Sequence, residues 1–236
     1  MAKKHNKVCI IIPAYNEGRV IEDVVRGVYS SLNQTNMDFE IVVINDGSKD
    51  NTTKQAKLGG AKVIDHILNT GAGGATATGL SYASQNNFDF AATMDADGQH
   101  LPADVVKGLR LASDNSVDLL IGSRLIDTKG MSKVKVLGNK GLSIITGVLF
   151  GVNVTDSQSG LRVFSKKALA SLRWKTSGYE FCSEMLWRAK QINLSIEEYP
   201  IKAIYTEYSK AKGQNNWNAI NIVKSLVKRR IVEIFE

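Results

Sequence analysis

The stretch Phe90-Ala91-Ala92-Thr93-Met94-Asp95-Ala96-Asp97-Gly98-Gln99-His100 decides how the rest of the chain is read. Its first five residues are a short apolar run, the length of a buried strand rather than of a helix. Two carboxylates follow, two residues apart, and run onto a glycine turn. Ligands of open α/β sheets bind at the carboxyl ends of strands, and this strand delivers its polar groups there. Asp95, Asp97 and the amide oxygen of Gln99 form an oxygen donor set. Mg2+ or Mn2+ takes such a set while sharing its shell with substrate phosphates. His100 adjoins the set but stays outside it, because imidazole suits softer metals.

Outward from this strand the pattern repeats. Residues 8–12, 41–44, 62–67 and 117–121 are further apolar, β-branched runs. Between the strands lie segments with helical character at 17–32, 52–58, 74–85 and 103–112. Apolar strands alternating with helices predict an α/β fold with a Rossmann-like, mostly parallel central sheet flanked by helices. The strand ends of that sheet select 13–17, 46–50, 69–74, 95–100 and 122–124 as the functional edge. The second half predicts a helix over 135–151, a polar loop running into a short strand over 154–164, a helix over 180–191 and a strand over 195–204. An amphipathic helix is expected over 217–235. Trp217, Ile220, Val223, Val227, Ile231 and Ile234 line one face, and Asn221, Lys224, Ser225, Lys228 and Arg229 the other.

A chain of 236 residues, 43% hydrophobic and 22% charged, suits one compact domain, or one domain with a small appendage. Two cysteines, Cys9 and Cys182, build neither a disulfide framework nor a zinc site, which points to a reducing cytoplasm. No signal peptide is expected from the polar, basic start at 1–7 and the short apolar run after it. Its longest apolar stretch, 142–152, is too short to span a bilayer. Of the net charge of +7, four units fall within 202–236, and residues 128–143 add four lysines and no acid. Such basic excess attracts phosphates and anionic lipid. No recognised nucleic-acid module accompanies it, so no nucleic-acid partner is expected.

Three more strand-end motifs bear on chemistry. Asp46, in Asn45-Asp46-Gly47-Ser48-Lys49-Asp50, can accept hydrogen bonds from a base or ribose, while Ser48 or Asp50 can cap the next helix. In Pro13-Ala14-Tyr15-Asn16-Glu17, Tyr15 can pack on a base. The loop Asn69-Thr70-Gly71-Ala72-Gly73-Gly74-Ala75 lacks the third glycine of the dinucleotide fingerprint, with Thr76 in its place. Amides at this helix start can serve a phosphate or a sugar, or the glycines can serve close packing.

The motifs IIIPAYNE, VVINDGSKD, NTGAGGA and MDADGQH, in this order, resemble the family-two glycosyltransferases of the GT-A fold. GSR at 122–124 and DSQSGLRVF at 156–164 are similar, more narrowly, to the dolichol- and polyprenyl-phosphate mannose or glucose synthases. The resemblance implies a catalytic domain over 1–212 and a membrane- or partner-facing helix over 213–236. It implies that Pro13, Tyr15, Glu17, Asp46 and Gly73 hold the donor, a nucleotide-diphosphate sugar of GDP-mannose or UDP-glucose type. It gives Asp95, Asp97 and Gln99 the Mg2+ or Mn2+ ion, with Asp97, Arg124 and Arg162 as the catalytic set. Arg124, Ser159 and Arg162 would line the phosphate of a polyprenyl lipid, and Lys210 and Lys212 would lie on a basic loop near the donor. Many of these synthases carry an arginine four residues before a serine in the helix after GSR. Here Asn139 and Lys140 precede Ser143, and Lys140 substitutes as a point charge without the guanidinium fork.

The implied protein is peripheral on the cytoplasmic face of the membrane, alone or with a small membrane-spanning partner. A saccharide-hydroxyl acceptor would need a general base, and Glu180, Glu184 and Asp156 are the candidates. Residues 178–184 lack the Glu-Asp pair that many hydroxyl-acceptor relatives carry. A non-catalytic nucleotide-sugar binder would have no use for the Asp95/Asp97/Gln99 set.

Overall fold

The computed structural model of the chain describes residues 6–204, 208, 221–228 and 230. In chain order the elements are β1 (Lys7–Ala14), α1 (Ile21–Leu32), β2 (Asp38–Asn45), α2 (Thr52–Leu58), β3 (Lys62–Asp65), α3 (Ala72–Gln85), β4 (Phe90–Thr93), α4 (Pro102–Asp114), β5 (Leu119–Ser123), α5 (Lys133–Phe150), β6 (Arg162–Ser165), α6 (Lys166–Ser171), α7 (Phe181–Gln191) and β7 (Ile196–Pro200). The seven strands form one sheet in the order β3-β2-β1-β4-β6-β5-β7.

Both faces of the sheet are covered, which is why β1 reads as an unbroken apolar run. Val8, Ile10 and Ile12 point into one core with Val25 and Val28 of α1, Ala56 of α2 and Leu109 of α4. Cys9 and Ile11 point into the other with Leu80 of α3, Leu169 of α6 and Met185 of α7. This alternation is the period of two that a strand imposes.

One strand runs against the rest. β6 is antiparallel to both β4 and β5, with Arg162 opposite Thr93 on one side and Ile121 on the other. The chain reaches β6 from the carboxyl edge, through α5 and the loop 151–161. The ends of β4 and β5 and the start of β6 therefore meet at one place.

Local chemistry sets the boundaries. Ser132 caps α5 by accepting from the Lys135 amide, so the helix begins before residue 135, and Gly151 closes it at φ 68°. α6 was not expected; Ser165 caps it through the Ala168 amide. β7 ends at Pro200 rather than running to 204. Helix α5 buries Leu142, Ser143, Thr146 and Phe150 but leaves Val134, Leu137, Ile144 and Val148 exposed in a stripe.

Residues 221–228 are helical, as expected within 217–235. The buried side differs from the expected one. Ile222 and Leu226 join the core beside α7, with Val223 packed against it, whereas Val227 is 40% exposed. The apolar core at this point lies next to 222 and 226, and that turns the helix away from the 223–227 line. The other residues of the expected face, and Lys210, Lys212 and Arg229, lie outside the described residues. Among the described residues, no helix is long and apolar enough to cross a membrane.

Candidate active site at the carboxyl edge of the sheet

The first two motifs are tied to each other. Asn16 sits at φ 55°, a left-handed conformation that asparagine tolerates. From there its amide donates to Ser48 Oγ at 2.9 Å, and its Oδ1 accepts from the Lys49 amide at 2.8 Å. The Glu17 amide donates to Thr52 Oγ1 and the Gly18 amide to Asp50 Oδ2. Pro13 is half-buried and Tyr15 is 42% exposed at this rim. Glu17 is buried, and its Oε2 accepts from the Tyr208 hydroxyl at 2.8 Å. The Ile204 amide donates to the Gln99 carbonyl. After β7, Ile204 thus lies beside the Gln99 turn and Tyr208 beside the Glu17 loop.

Asp46 is 3% exposed, and its carboxylate is engaged with the β3–α3 loop. Oδ1 accepts from the Thr70 amide, the Thr70 hydroxyl and His66 Nδ1 at 2.7–2.8 Å, and Oδ2 accepts from the Gly71 amide at 2.8 Å. Burial pushes its pKa up, but the hydrogen bonds from Thr70, His66 and Gly71 outweigh burial and hold it below the usual value. His66 in turn meets Thr78 Oγ1 through Nε2 at 3.0 Å. His66 was not singled out by motif, and Thr70 was quoted only as part of the glycine loop; a histidine after a strand carries no signal until its partner is seen. The Gly73 amide donates to the Ser177 carbonyl at 2.7 Å, and a Cβ there would lie 2.6 Å from the Thr176 carbonyl oxygen. The glycines of this loop admit the 176–178 backbone, so Gly73 shapes the site wall.

At the end of β4 the Asp95 side chain is half exposed, and Oδ2 lies 2.9 Å from His100 Nε2. Desolvation raises its pKa, but the His100 hydrogen bond and the positive charges nearby, Arg124 and Arg162 among them, bring it below the usual range. Asp97 moves the other way, raised by desolvation and by the Asp95 charge. Gln99 donates to Asp97 through both its backbone and its side-chain amide. Two mutually repelling carboxylates beside a carboxamide oxygen fit a hard divalent cation. Among the described residues no three His, Cys, Asp or Glu side chains form a closed metal cage. The Tyr179 hydroxyl, also raised by desolvation and then by Asp95, Glu17 and Asp97, belongs to the same end of the molecule.

The ends of β5 and β6 build the second half of the site. Arg124 forks onto Asp156, which is fully buried, and Asp156 and Thr155 donate their amides to Glu198 of β7. Arg162 is 2% exposed and spends its donors on the carbonyls of Ser157, Ser159 and Cys182 and on Met185 Sδ. The Ser159 hydroxyl is buried and donates to the Gly122 carbonyl. Ser143 is buried, and its Oγ accepts from the Ser157 amide at 3.0 Å. These contacts give Arg162, Ser159 and Ser143 one common effect, holding the 156–160 loop against β5 and α5. Lys140 is exposed and lines a groove of about 730 Å³ with Leu125, Ile144, Val148 and Val154.

Of the three candidate bases, Asp156 is taken by Arg124. Glu184 is 0% exposed and accepts the amides of Lys175 and Thr176. Glu180 stands half-buried at the start of α7.

Comparison with known proteins agrees with this architecture. The family model described as Glycosyl transferase family 2 matches residues 9–173. A UDP-N-acetylglucosamine–dolichyl-phosphate N-acetylglucosaminyltransferase of Methanococcus voltae is 42% identical, over 97% of this chain and 98% of its own. An undecaprenyl-phosphate mannosyltransferase of Micrococcus luteus is 28% identical, over 87% of both. Among solved structures, a mannosyl-3-phosphoglycerate synthase from Rubrobacter xylanophilus superposes with a TM-score of 0.71 at 17% identity, over 97% of this chain and 74% of that one. Glucosyl-3-phosphoglycerate synthase from Mycobacterium tuberculosis, in complex with Mn2+, UDP and glucosyl-3-phosphoglycerate, gives 0.66 at 20% identity, over 94% and 80%. At these identities the structural likeness speaks for the fold alone. With the motifs in order, the GT-A sheet and a model match across most of the domain, the chain belongs to glycosyl transferase family 2.

Proposed function

We propose that this enzyme moves a sugar from a nucleoside-diphosphate donor to the phosphate of a polyprenyl lipid, in one inverting displacement, at the cytoplasmic face of a membrane. The observation that carries the acceptor class is the fate of the candidate bases. A sugar hydroxyl needs a base, whereas a phosphate arrives already anionic. Glu184 and Asp156 are wholly buried and committed to other partners, which leaves half-buried Glu180 as the remaining candidate of the three. The two named relatives, one acting on dolichyl phosphate and one on undecaprenyl phosphate, support the same class. The donor to test first is UDP-N-acetylglucosamine, named for the relative that is 42% identical. GDP-mannose and UDP-glucose are the next two.

In this reading Tyr15 packs on the base, and Glu17 and Asp46 hold the nucleoside, Asp46 also by fixing the Thr70–Gly71 turn. Asp95, Asp97 and Gln99 would hold a divalent cation, which when bound neutralises the charge that develops on the leaving diphosphate. Solved structures of the same fold contain Mn2+ or Mg2+ with UDP, in keeping with that choice. Arg124, oriented by Asp156, supplies positive charge for the acceptor phosphate, and Lys140 adds a second positive charge at the groove. Arg162, Ser159 and Ser143 hold the loop that carries Asp156. Lys210 and Lys212, which lie outside the described residues, are assigned to the donor diphosphate on the strength of the family resemblance alone. The exposed stripe of α5, with Lys133, Lys135 and Lys140 on the same helix, rests on the lipid surface.

The deciding experiment offers radiolabelled UDP-N-acetylglucosamine, UDP-glucose and GDP-mannose with polyprenyl phosphate or with free saccharides. Label in an organic-extractable product is expected. Label in saccharide products alone would assign the enzyme to hydroxyl acceptors.

A further inference from the structure

We infer that His100 is a positioning residue that fixes the direction of the Asp95 carboxylate for the divalent cation. The inference rests on the cation reading of Asp95, Asp97 and Gln99.

Two observations carry it. His100 is only 4% exposed, and one ring nitrogen, Nε2, lies 2.9 Å from Asp95 Oδ2. The other, Nδ1, is buried and has no hydrogen-bond partner. Native interiors rarely bury a polar ring half-satisfied, and an apolar side chain would fill such a space at lower cost. Packing alone therefore does not account for an imidazole here, whereas the bond to Asp95 does. Asp95 is an acceptor, so the contact assigns the ring proton to Nε2.

The second observation lies on the opposite side of the same carboxylate. A Cβ at Gly160 would collide with Asp95 Oδ1. The Gly160 carbonyl is itself fixed by the Thr93 hydroxyl, from the last residue of β4, at 2.9 Å. Asp95 is thus held between a donor on one side and a bare stretch of backbone on the other. Asp97 needs no such clamp, because Gln99 already holds it. A half-exposed carboxylate without these neighbours would rotate among its rotamers, and binding a cation would have to select one of them. Hydrogen-bonding partners of metal ligands typically change metal affinity by about 10–100-fold.

The test measures Mn2+ affinity, by the electron paramagnetic resonance signal of free Mn2+, with UDP present. UDP affinity without metal and the thermal midpoint are followed in parallel. H100A is expected to weaken Mn2+ by about 10–100-fold, with metal-free UDP affinity unchanged. H100Q returns a donor near the Nε2 position and is expected to recover most of the loss. G160A, which pushes Asp95 from the other side, is expected to weaken Mn2+ as well. D95A separates two failures. If D95A weakens Mn2+ and H100A does not, His100 has no positioning role. If neither weakens it, the cation reading itself is wrong. Should H100A not fold, H100N and H100Q carry the comparison, since one withdraws the donor and the other keeps it. Equal Mn2+ affinity of those two would overturn the inference.

Discussion

Arg124 meets Asp156 with two parallel hydrogen bonds, Nε to Oδ2 at 2.7 Å and Nη2 to Oδ1 at 2.9 Å, and the Arg124 amide adds a third to Oδ2. The carboxylate is wholly buried and the guanidinium mostly so. A lysine at 124 keeps the charge but cannot fork. R124K is expected to lower kcat/KM for the lipid phosphate by about 10–100-fold, the range of one or two charged hydrogen bonds, with donor affinity unchanged. Steady-state kinetics at saturating donor would show it. A weakened donor and an unaffected acceptor would move Arg124 to the other half of the site.

Asp46 is expected to act on the nucleotide partly through the loop it holds. D46A should weaken nucleoside diphosphate binding by about 1–3 kcal/mol, read by calorimetry on the folded variant. An unchanged dissociation constant would leave Asp46 with loop support alone. The same carboxylate sets a pH dependence. Its pKa in the folded chain lies below the ordinary 3.8. Its contribution to stability is therefore complete above about that pH and lost as the pH falls through the lowered value. The stability gap between wild type and D46N should accordingly narrow in acid, as denaturant titrations at pH 6 and near pH 3 would record.

Removal of the charge at the diphosphate should be the most damaging change. D97A and chelation by EDTA are each expected to abolish transfer, because diphosphate would leave without neutralisation. Mn2+ or Mg2+ should restore the chelated enzyme but not the variant. Calcium should support nucleotide binding better than turnover, since its looser geometry misplaces the diphosphate. Full activity after exhaustive chelation would remove the metal from the mechanism.

Docking through α5 predicts sedimentation with anionic vesicles at low salt and much less at high salt. L137Q/V148Q should reduce it by removing apolar anchors, and K133Q/K135Q by removing charge, both with UDP binding intact. Lys224, Lys228 and Arg230 test the C-terminal segment in the same way. A wild type that ignores anionic vesicles at low salt would transfer the docking role to a membrane-spanning partner.

What the sequence made legible follows from the range of the interactions. Strands 8–12, 41–44 and 90–94 were readable because burial on both faces demands unbroken apolar runs. Asp95 and Asp97 were readable because they leave such a run together. The direction of β6 was not, since nothing in Arg162–Ser165 says which way its neighbours run. The fate of Arg162, Ser159 and Ser143 was hidden for a related reason. All three are polar residues in a motif, and only their partners, the carbonyls of 157, 159 and 122 and the amide of 157, show that they serve the loop. In the C-terminal helix, periodicity alone gave a face through 223 and 227, and the core chose 222 and 226.

The reversed strand also bears on how the protein is made. β4 pairs with β1 on one side and with β6 on the other, Phe90 opposite Ser165. While the ribosome is still translating α5, both β4 and β5 have an inner edge with no partner to close it. Open edges of apolar strands are templates for pairing with other chains. Nascent chains that stall between Ser123 and Leu161 are therefore expected to aggregate more than chains released after Ser165, in which the gap between β4 and β5 is filled. The four residues of β6 act as a stitch between strands translated before it, and β7 then joins the outer edge of β5.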